Sequence, residues 1–181
     1  MFDELNVIGV KKHVDKLYKN IYKIIRSEFL AVANDIYEEV AAEAVEMGFD
    51  GDLGDIDESW LDEFFSKYSP VTKYVFINEI DRKKSRLFEA LVASLEDRLD
   101  GYTTAENLLK RQIKQCGIEL EDDIVKTAYK DVKVNKVQWV AEHDKKTCGV
   151  CDELDGEIFD LEDAPDKQHI NCRCYLIPVK E

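Results

Sequence analysis

The sequence has no long hydrophobic run and no basic, apolar start. No apolar stretch approaches the roughly 20 residues that a transmembrane helix needs, so we expect no membrane span. The chain opens with Met1-Phe2-Asp3-Glu4, which is acidic where a secretory signal peptide is basic and then apolar. We therefore expect a soluble protein that stays in the compartment where it is made.

Positive charge is also scarce, because 25 Lys and Arg residues face 39 Asp and Glu residues and the net charge is −14. Binding to nucleic-acid phosphates depends on Lys and Arg, so this balance argues against an ordinary nucleic-acid-binding protein. The acidic excess lies in residues 1–68 and 140–181, whereas residues 69–139 are close to neutral. An acidic surface suits a protein that stays soluble or docks on a basic partner.

Apolar residues at steps of three and four dominate the first two thirds of the chain. They predict a long amphipathic helix over residues 10–47, a short aromatic-rich helix over residues 60–68 and a third helix over residues 78–99. Asp100-Gly101 is expected to end the third helix. Thr103 and Glu106 have the spacing of a capping box, which predicts a new helix from there to Gln115. Gly117 is expected to close that helix, and a last helix is predicted over residues 121–132.

The pattern changes to alternation after this helical part. Residues 136–142 alternate like a strand, residues 154–159 resemble a strand end, an Asp-Gly turn and a second strand, and residues 173–179 form a third. We therefore predict a helical body over residues 1–132 and a small β module over residues 133–181. The fold class is mainly α with a long N-terminal helix, and α+β overall.

Four of the five cysteines lie in the predicted β module, and their spacing predicts a metal site. Cys148 and Cys151 form a Cys-x-x-Cys pair, and 17 residues separate it from His169, Cys172 and Cys174. An odd number of cysteines without a signal peptide favours metal ligation in a reducing cytosol over disulfides. We expect Cys148, Cys151, His169 and Cys172 to bind the metal, with Cys174 as the rival for one of the last two places.

Thiols and imidazole favour zinc over hard cations, with an iron–sulfur cluster as a weaker alternative. A module this small lacks a sizeable core, so zinc would supply much of its folding free energy and would staple the sheet. A structural site is expected because the donors suffice to close the shell. His143 and Asp144 precede Cys148 and are predicted either to support the ligands or to form a catalytic pair in a nuclease-like module.

These residues resemble the C-terminal signature of the phage head-morphogenesis family related to protein F of phage Mu. The similarity extends upstream to a segment that begins at Ser69-Pro70, and so covers roughly residues 69–179. The family often has His-Pro where this chain has His169-Ile170, a change that loosens the turn without removing a ligand. The positions that carry the resemblance are Trp139, His143, Asp144, Cys148, Cys151, Leu154, Asp155, Gly156, Phe159, His169, Cys172, Arg173, Cys174 and Pro178.

The resemblance implies a non-enzymatic minor head protein, present in few copies and oligomeric in the virion. It implies association with the portal or capsid protein and a role in head assembly or DNA delivery. The location would be the capsid interior or the portal vertex, after synthesis in the cytoplasm of the bacterial host. Two other functions compete with it: a zinc-dependent hydrolase or nuclease that uses His143 and Asp144, and a host regulator that binds a partner through the first helix.

One basic cluster stands out, formed by Arg82, Lys83, Lys84 and Arg86. With the family resemblance, it is interpreted as a contact with packaged DNA or with an acidic portal surface. The alternative is a solvated helix face whose charge is offset by Glu79 and other carboxylates at helical spacing.

Overall fold

The computed structural model describes residues 4–97 and 100–180 and confirms a mainly helical chain with a small C-terminal sheet. The helical part consists of α1 (Glu4–Glu46), α2 (Glu58–Ser66), α3 (Phe76–Asp97) and α4 (Asp100–Asp131). The C-terminal part contains β1 (Lys136–Val140), α5 (Gly149–Leu154), β2 (Ile158–Asp160), a 3-10 turn (Leu161–Asp163) and β3 (Tyr175–Val179). Within the described ranges, no helix combines the length and apolar character needed to cross a bilayer.

The long first helix is confirmed, and α1 runs for 43 residues, or about 65 Å at 1.5 Å per residue. It packs along α3 and α4 through a stripe of buried side chains. Ala33, Ala41 and Ala44 are fully buried within this stripe. Small side chains at these positions let neighbouring elements approach the α1 backbone closely, so the helix lies against the body along most of its length.

The acidic loop after α1 is tied to the helical body through its backbone. Asn34 of α1 accepts a hydrogen bond from the Ile56 N–H (2.9 Å) and donates to the Ile56 carbonyl (2.8 Å). The Tyr37 hydroxyl accepts from the Gly54 N–H (2.8 Å) and donates to the Asp131 carboxylate (2.7 Å). Burial raises the pKa of Tyr37 above its ordinary value. These contacts join the loop to α1 and to the last residue of α4.

The predicted helix end at Gly117 is wrong, because α4 begins at Asp100 and continues to Asp131. Thr103 and Glu106 lie inside this helix instead of capping it. A glycine inside a helix lowers its stability by only about 1 kcal/mol relative to alanine. The packing of buried residues on both sides of Gly117 outweighs this cost. Cys116 and Leu120, on either side of Gly117, are buried in the core. The predicted helix end at Leu99 lies outside the described residues.

The three strands form an antiparallel sheet in the order β2-β1-β3. The register pairs Val137 with Phe159 on one side and Trp139 with Leu176 on the other. Val137 and Trp139 are fully buried, and within residues 4–97 and 100–180 the Trp139 indole N–H has no hydrogen-bond partner, so this side chain acts through packing. The predicted third strand begins at Tyr175 and not at residue 173. The division between body and module after residue 132 remains a prediction.

The predicted strand end at Leu154 is wrong, because Leu154 is the last residue of α5. A helix forms here because Cys148 caps its first turn, and the chain then turns through Gly156, whose φ is 81°. Positive φ is a conformation that glycine adopts without strain. The Asp-Gly turn itself was predicted correctly, but it joins a helix to β2.

We predict that Gly117→Ala stabilises the protein by about 0.5–1 kcal/mol, because alanine is the better residue inside a helix. A Cβ added at Gly117 would meet no heavy atom within 4 Å, so the gain is not offset by a clash. Urea denaturation measures the change. Gly51→Ala is the matched control and is expected to destabilise, because its Cβ would collide with the backbone of Asp131 and Val132. An unchanged or lower free energy of unfolding for Gly117→Ala would contradict the continuous helix.

Candidate metal centre

The first pair of cysteines lies at the start of α5. Cys148 is the N-cap of this helix, and its sulfur accepts a hydrogen bond from the Cys151 backbone N–H at 3.4 Å. The capping bond fixes the distance between the two residues and orients the Cys148 sulfur toward the helix start. The same hydrogen bond lowers the pKa of the Cys148 thiol. A lowered pKa favours the thiolate, which is the form that binds metals.

The second group of donors lies on the loop that precedes β3. Its tight turn from His169 to Cys172 is closed by a hydrogen bond from the Cys172 N–H to the His169 carbonyl at 3.1 Å. Asn171 adopts a positive φ of 59° in this turn, a conformation that asparagine tolerates better than most residues. The turn places the His169 ring and the Cys172 sulfur on the side that faces α5.

Cys151 is the point at which the two donor groups meet. Its sulfur lies 3.5 Å from His169 Nε2 and 3.7 Å from the Cys172 sulfur. Cys148, Cys151 and His169 form one set of donor atoms within 4.8 Å of one another, and Cys151, Cys172 and Cys174 form the other. All five predicted donors therefore gather around one fully buried thiol.

These distances agree with the requirements of a tetrahedral ion. Ligands at about 2.3 Å for sulfur and about 2.0 Å for nitrogen have S–S separations of about 3.8 Å and S–N separations of about 3.5 Å. The observed sulfur–sulfur distance from Cys151 to Cys172 is 3.7 Å, far beyond a disulfide bond of about 2.05 Å. All five cysteines are free. The arrangement therefore fits metal ligation and not a disulfide.

The orientation of the His169 ring supports the same conclusion. Its Nε2 faces the Cys151 sulfur, and its Nδ1 lies 3.0 Å from the Ile170 carbonyl oxygen. In the tautomer with the proton on Nδ1, the Nδ1–H group donates to that carbonyl and the Nε2 lone pair is directed at the Cys151 sulfur. Histidines that bind metals usually donate their other ring N–H in this way.

Burial of the other thiols favours their neutral, protonated form. Burial raises the pKa of Cys151 and of Cys174 above the ordinary range. Metal ions lower the pKa of a coordinating thiol strongly, so binding releases protons from these groups. Cys116 also has a pKa well above its ordinary value, again because of burial, but it lies in α4 and belongs to neither donor set.

His143 and Asp144, which precede the first cysteine pair in the chain, each have a partner of their own. His143 Nε2 lies 3.0 Å from the Asp155 carboxylate, whose other oxygen accepts from the Ala141 N–H at 2.8 Å. Asp144 forms an ion pair with Arg173, which lies between Cys172 and Cys174 in the chain. This ion pair lowers the pKa of Asp144. It also joins the loop before the first cysteine pair to the loop of the second.

The predicted basic cluster is largely paired within the chain. Arg82 contacts Glu79 at 2.7 Å and lies over the Tyr74 ring at 4.9 Å. Lys83 is buried, and its Nζ lies 3.7 Å from the Glu79 carboxylate. The Nζ of Lys84 lies 3.3 Å from the Asp81 carboxylate and 3.6 Å from that of Asp15. Arg86 is exposed. These ion pairs agree with the alternative, in which nearby carboxylates offset the positive charge of a solvated helix face. The contact with DNA or an acidic partner remains a prediction.

The sequence patterns did not predict two polar residues near the centre, Gln115 and Lys167, which contact the loop that carries His169, Cys172 and Cys174. They also did not predict that Arg173 pairs with Asp144. The signal that could have indicated this pairing is the position of Arg173 between two cysteines. Gln115 lies 56 residues from its partner in the chain, a separation at which local patterns carry no information.

We predict that Cys151→Ser abolishes tight metal binding, because Cys151 belongs to both donor sets. Elemental analysis of the protein purified under reducing conditions measures the metal content. Cys116→Ser is the matched control, since this cysteine is also buried but lies outside both sets, and it is expected to retain the metal. Equal metal content in Cys151→Ser and the parent chain would rule out the centre.

Comparison with known proteins gives one family. The model described as "Phage Mu protein F like protein" matches residues 87–177, just over half of the chain. The match spans all of α4 and every predicted metal ligand, and it lies within the segment of the predicted resemblance. No curated protein and no solved structure matches the chain. The chain therefore belongs to the family of phage Mu protein F-like proteins.

Proposed function

We propose that this chain is a minor structural protein of a tailed-phage head that associates with the portal. It acts in head morphogenesis or in DNA packaging and ejection, and it is present in few copies at the portal vertex or in the capsid interior. The family match over residues 87–177 carries this proposal, because membership relates the chain to phage head proteins. Synthesis in the bacterial host cytoplasm fits the free cysteines, which need a reducing compartment.

The metal of the C-terminal centre is zinc under this proposal. The donors are four thiols and one imidazole, a set that suits a borderline-soft ion with tetrahedral geometry. Zinc would be held by Cys151 together with three of Cys148, His169, Cys172 and Cys174, and when bound it supplies cross-linking and not redox chemistry. The result is a rigid contact element that withstands assembly and internal pressure.

The module acts without catalysis under this proposal. A catalytic zinc site keeps one position open for water and has a general base nearby. Here five donors compete for four places, and the two candidate catalytic groups are engaged elsewhere, His143 with Asp155 and Asp144 with Arg173. These observations support a structural role over a zinc-dependent hydrolase or nuclease.

The partner surface is basic under this proposal, because the chain carries a net charge of −14. A patch of Lys and Arg on the portal or capsid protein provides the complement. Packaged DNA is the weaker candidate partner, because Arg82, Lys83 and Lys84 already have carboxylate neighbours within the chain.

We predict that the chain co-purifies with portal protein when it is expressed together with the portal and major capsid proteins of its own phage. The double variant Cys148→Ser/Cys151→Ser is expected to lose this association, because the module cannot fold around zinc. Cys116→Ser serves as the control and is expected to bind like the parent. Recovery of the parent chain free of both portal and capsid proteins would contradict the proposal.

We predict that His143→Ala leaves portal association unchanged and that the parent chain does not cleave linear double-stranded DNA in the presence of zinc. The physical reason is that His143 is exposed and contacts Asp155, and that it belongs to neither donor set found among the described residues. Gel electrophoresis of the DNA and the co-purification assay provide the two measurements. Cleavage by the parent that disappears in a folded His143→Ala variant would favour the enzymatic alternative.

A further inference from the structure

One face of α4 holds the loop that carries three of the five metal donors. Gln115, Asp122, Lys126 and Tyr129 follow one another at helical spacing, so their side chains leave the helix on the same side. Each contacts the segment from Ala164 to Leu176, and most of these contacts are to backbone groups. The metal loop is thus supported by the helical body and not by the small sheet alone.

Gln115 contacts the turn that presents His169 and Cys172. Its side-chain oxygen accepts a hydrogen bond from the Asn171 backbone N–H at 2.8 Å. Its side-chain nitrogen donates to Glu119 one turn later at 3.0 Å, which fixes the amide with the oxygen toward the turn. Gln115 is only 3% exposed, so its geometry is set by packing as well as by hydrogen bonds. Asn171 is the residue with positive φ, so this contact stabilises the least favourable conformation of the turn.

Lys167 supports the other end of the same loop. Its ammonium group donates to the Cys174 backbone carbonyl and lies 3.5 Å from the Asp122 carboxylate of α4. The side chains of Lys167 and Asp122 are each only 6% exposed. A buried ammonium group needs such partners, because an unpaired charge in the interior is strongly unfavourable. The contact therefore fixes the position of the Cys174 backbone relative to α4.

We infer that Gln115 and Lys167 are positioning residues of the metal centre. They hold the turn from His169 to Cys172 and the Cys174 backbone in place before the metal binds. A preformed loop loses less conformational freedom on binding, so the ion binds more tightly. Neither residue coordinates the metal, and the inference rests on the proposed zinc centre.

The experiment compares the zinc affinity of Gln115→Met with that of Gln112→Met. Methionine keeps the length and volume of glutamine but cannot accept the Asn171 N–H bond. Gln112 is one turn earlier on the same helix, and no hydrogen bond to the metal loop is found for it among the described residues. Competition with a chromophoric chelator under reducing conditions gives the dissociation constant. The Co²⁺ absorption spectrum reports the ligand set, and far-UV circular dichroism reports folding.

Gln115→Met is expected to weaken zinc binding roughly tenfold, the lower end of the effect of outer hydrogen-bond partners of metal ligands. Its Co²⁺ spectrum is expected to match that of the parent, and Gln112→Met to bind within about twofold of the parent. Lys167→Met provides a second variant with the same expected loss, which decides the question if Gln115→Met fails to fold.

Three results would overturn the inference. Folded Gln115→Met and Lys167→Met variants that bind zinc as tightly as the parent would overturn the positioning role and leave the proposed zinc centre intact. Equal weakening in Gln115→Met and Gln112→Met would assign the effect to the helix as a whole. A parent chain that takes up no zinc would overturn the zinc centre itself, and the positioning role with it.

Discussion

The cluster of donor atoms around Cys151 is the constraint on which residues 136–180 depend under the proposed zinc centre. The three strands contain only five, three and five residues, and a sheet of this size is marginal without further support. A structural zinc ion contributes about 10–16 kcal/mol in small zinc-binding peptides. Whole domains are stable by only about 5–15 kcal/mol, so the metal term is of the same order as the total. If the proposed zinc centre is correct, removal of the ion is therefore expected to release the loops around Cys151.

The helix α4 connects this centre to the rest of the molecule. One side of it packs on α1 and α3 through buried residues such as Leu109, Leu120 and Ile124. The opposite side presents the polar residues that hold the metal loop, and the Tyr129 hydroxyl donates to the Leu176 carbonyl of β3 at 3.2 Å. Edge strands are exposed to unwanted pairing, and here Tyr129 and the absence of an N–H at Pro178 reduce that exposure on β3. A single rigid helix thus contacts both the core of the body and the metal module.

The features that were predicted correctly have a local signal in the sequence. The period of α1 and the close spacings within the Cys148–Cys151 pair and within the group from His169 to Cys174 are patterns of neighbours within a few residues. The errors fall where tertiary packing outweighs local preference. Gly117 has the signal of a helix end, but its buried neighbours keep α4 continuous. The contact between Gln115 and Asn171 has no local signal at all, because it joins residues far apart in the chain.

X-ray absorption spectroscopy at the zinc edge, on the full chain purified under reducing conditions, tests the central claim most directly. The account predicts one zinc ion per chain, with four ligands that are mostly sulfur at about 2.3 Å. At most one nitrogen ligand, from His169, is expected among the four. Absence of zinc, or a shell dominated by oxygen ligands, would contradict the account, because the five clustered donors would then hold no metal of the proposed kind.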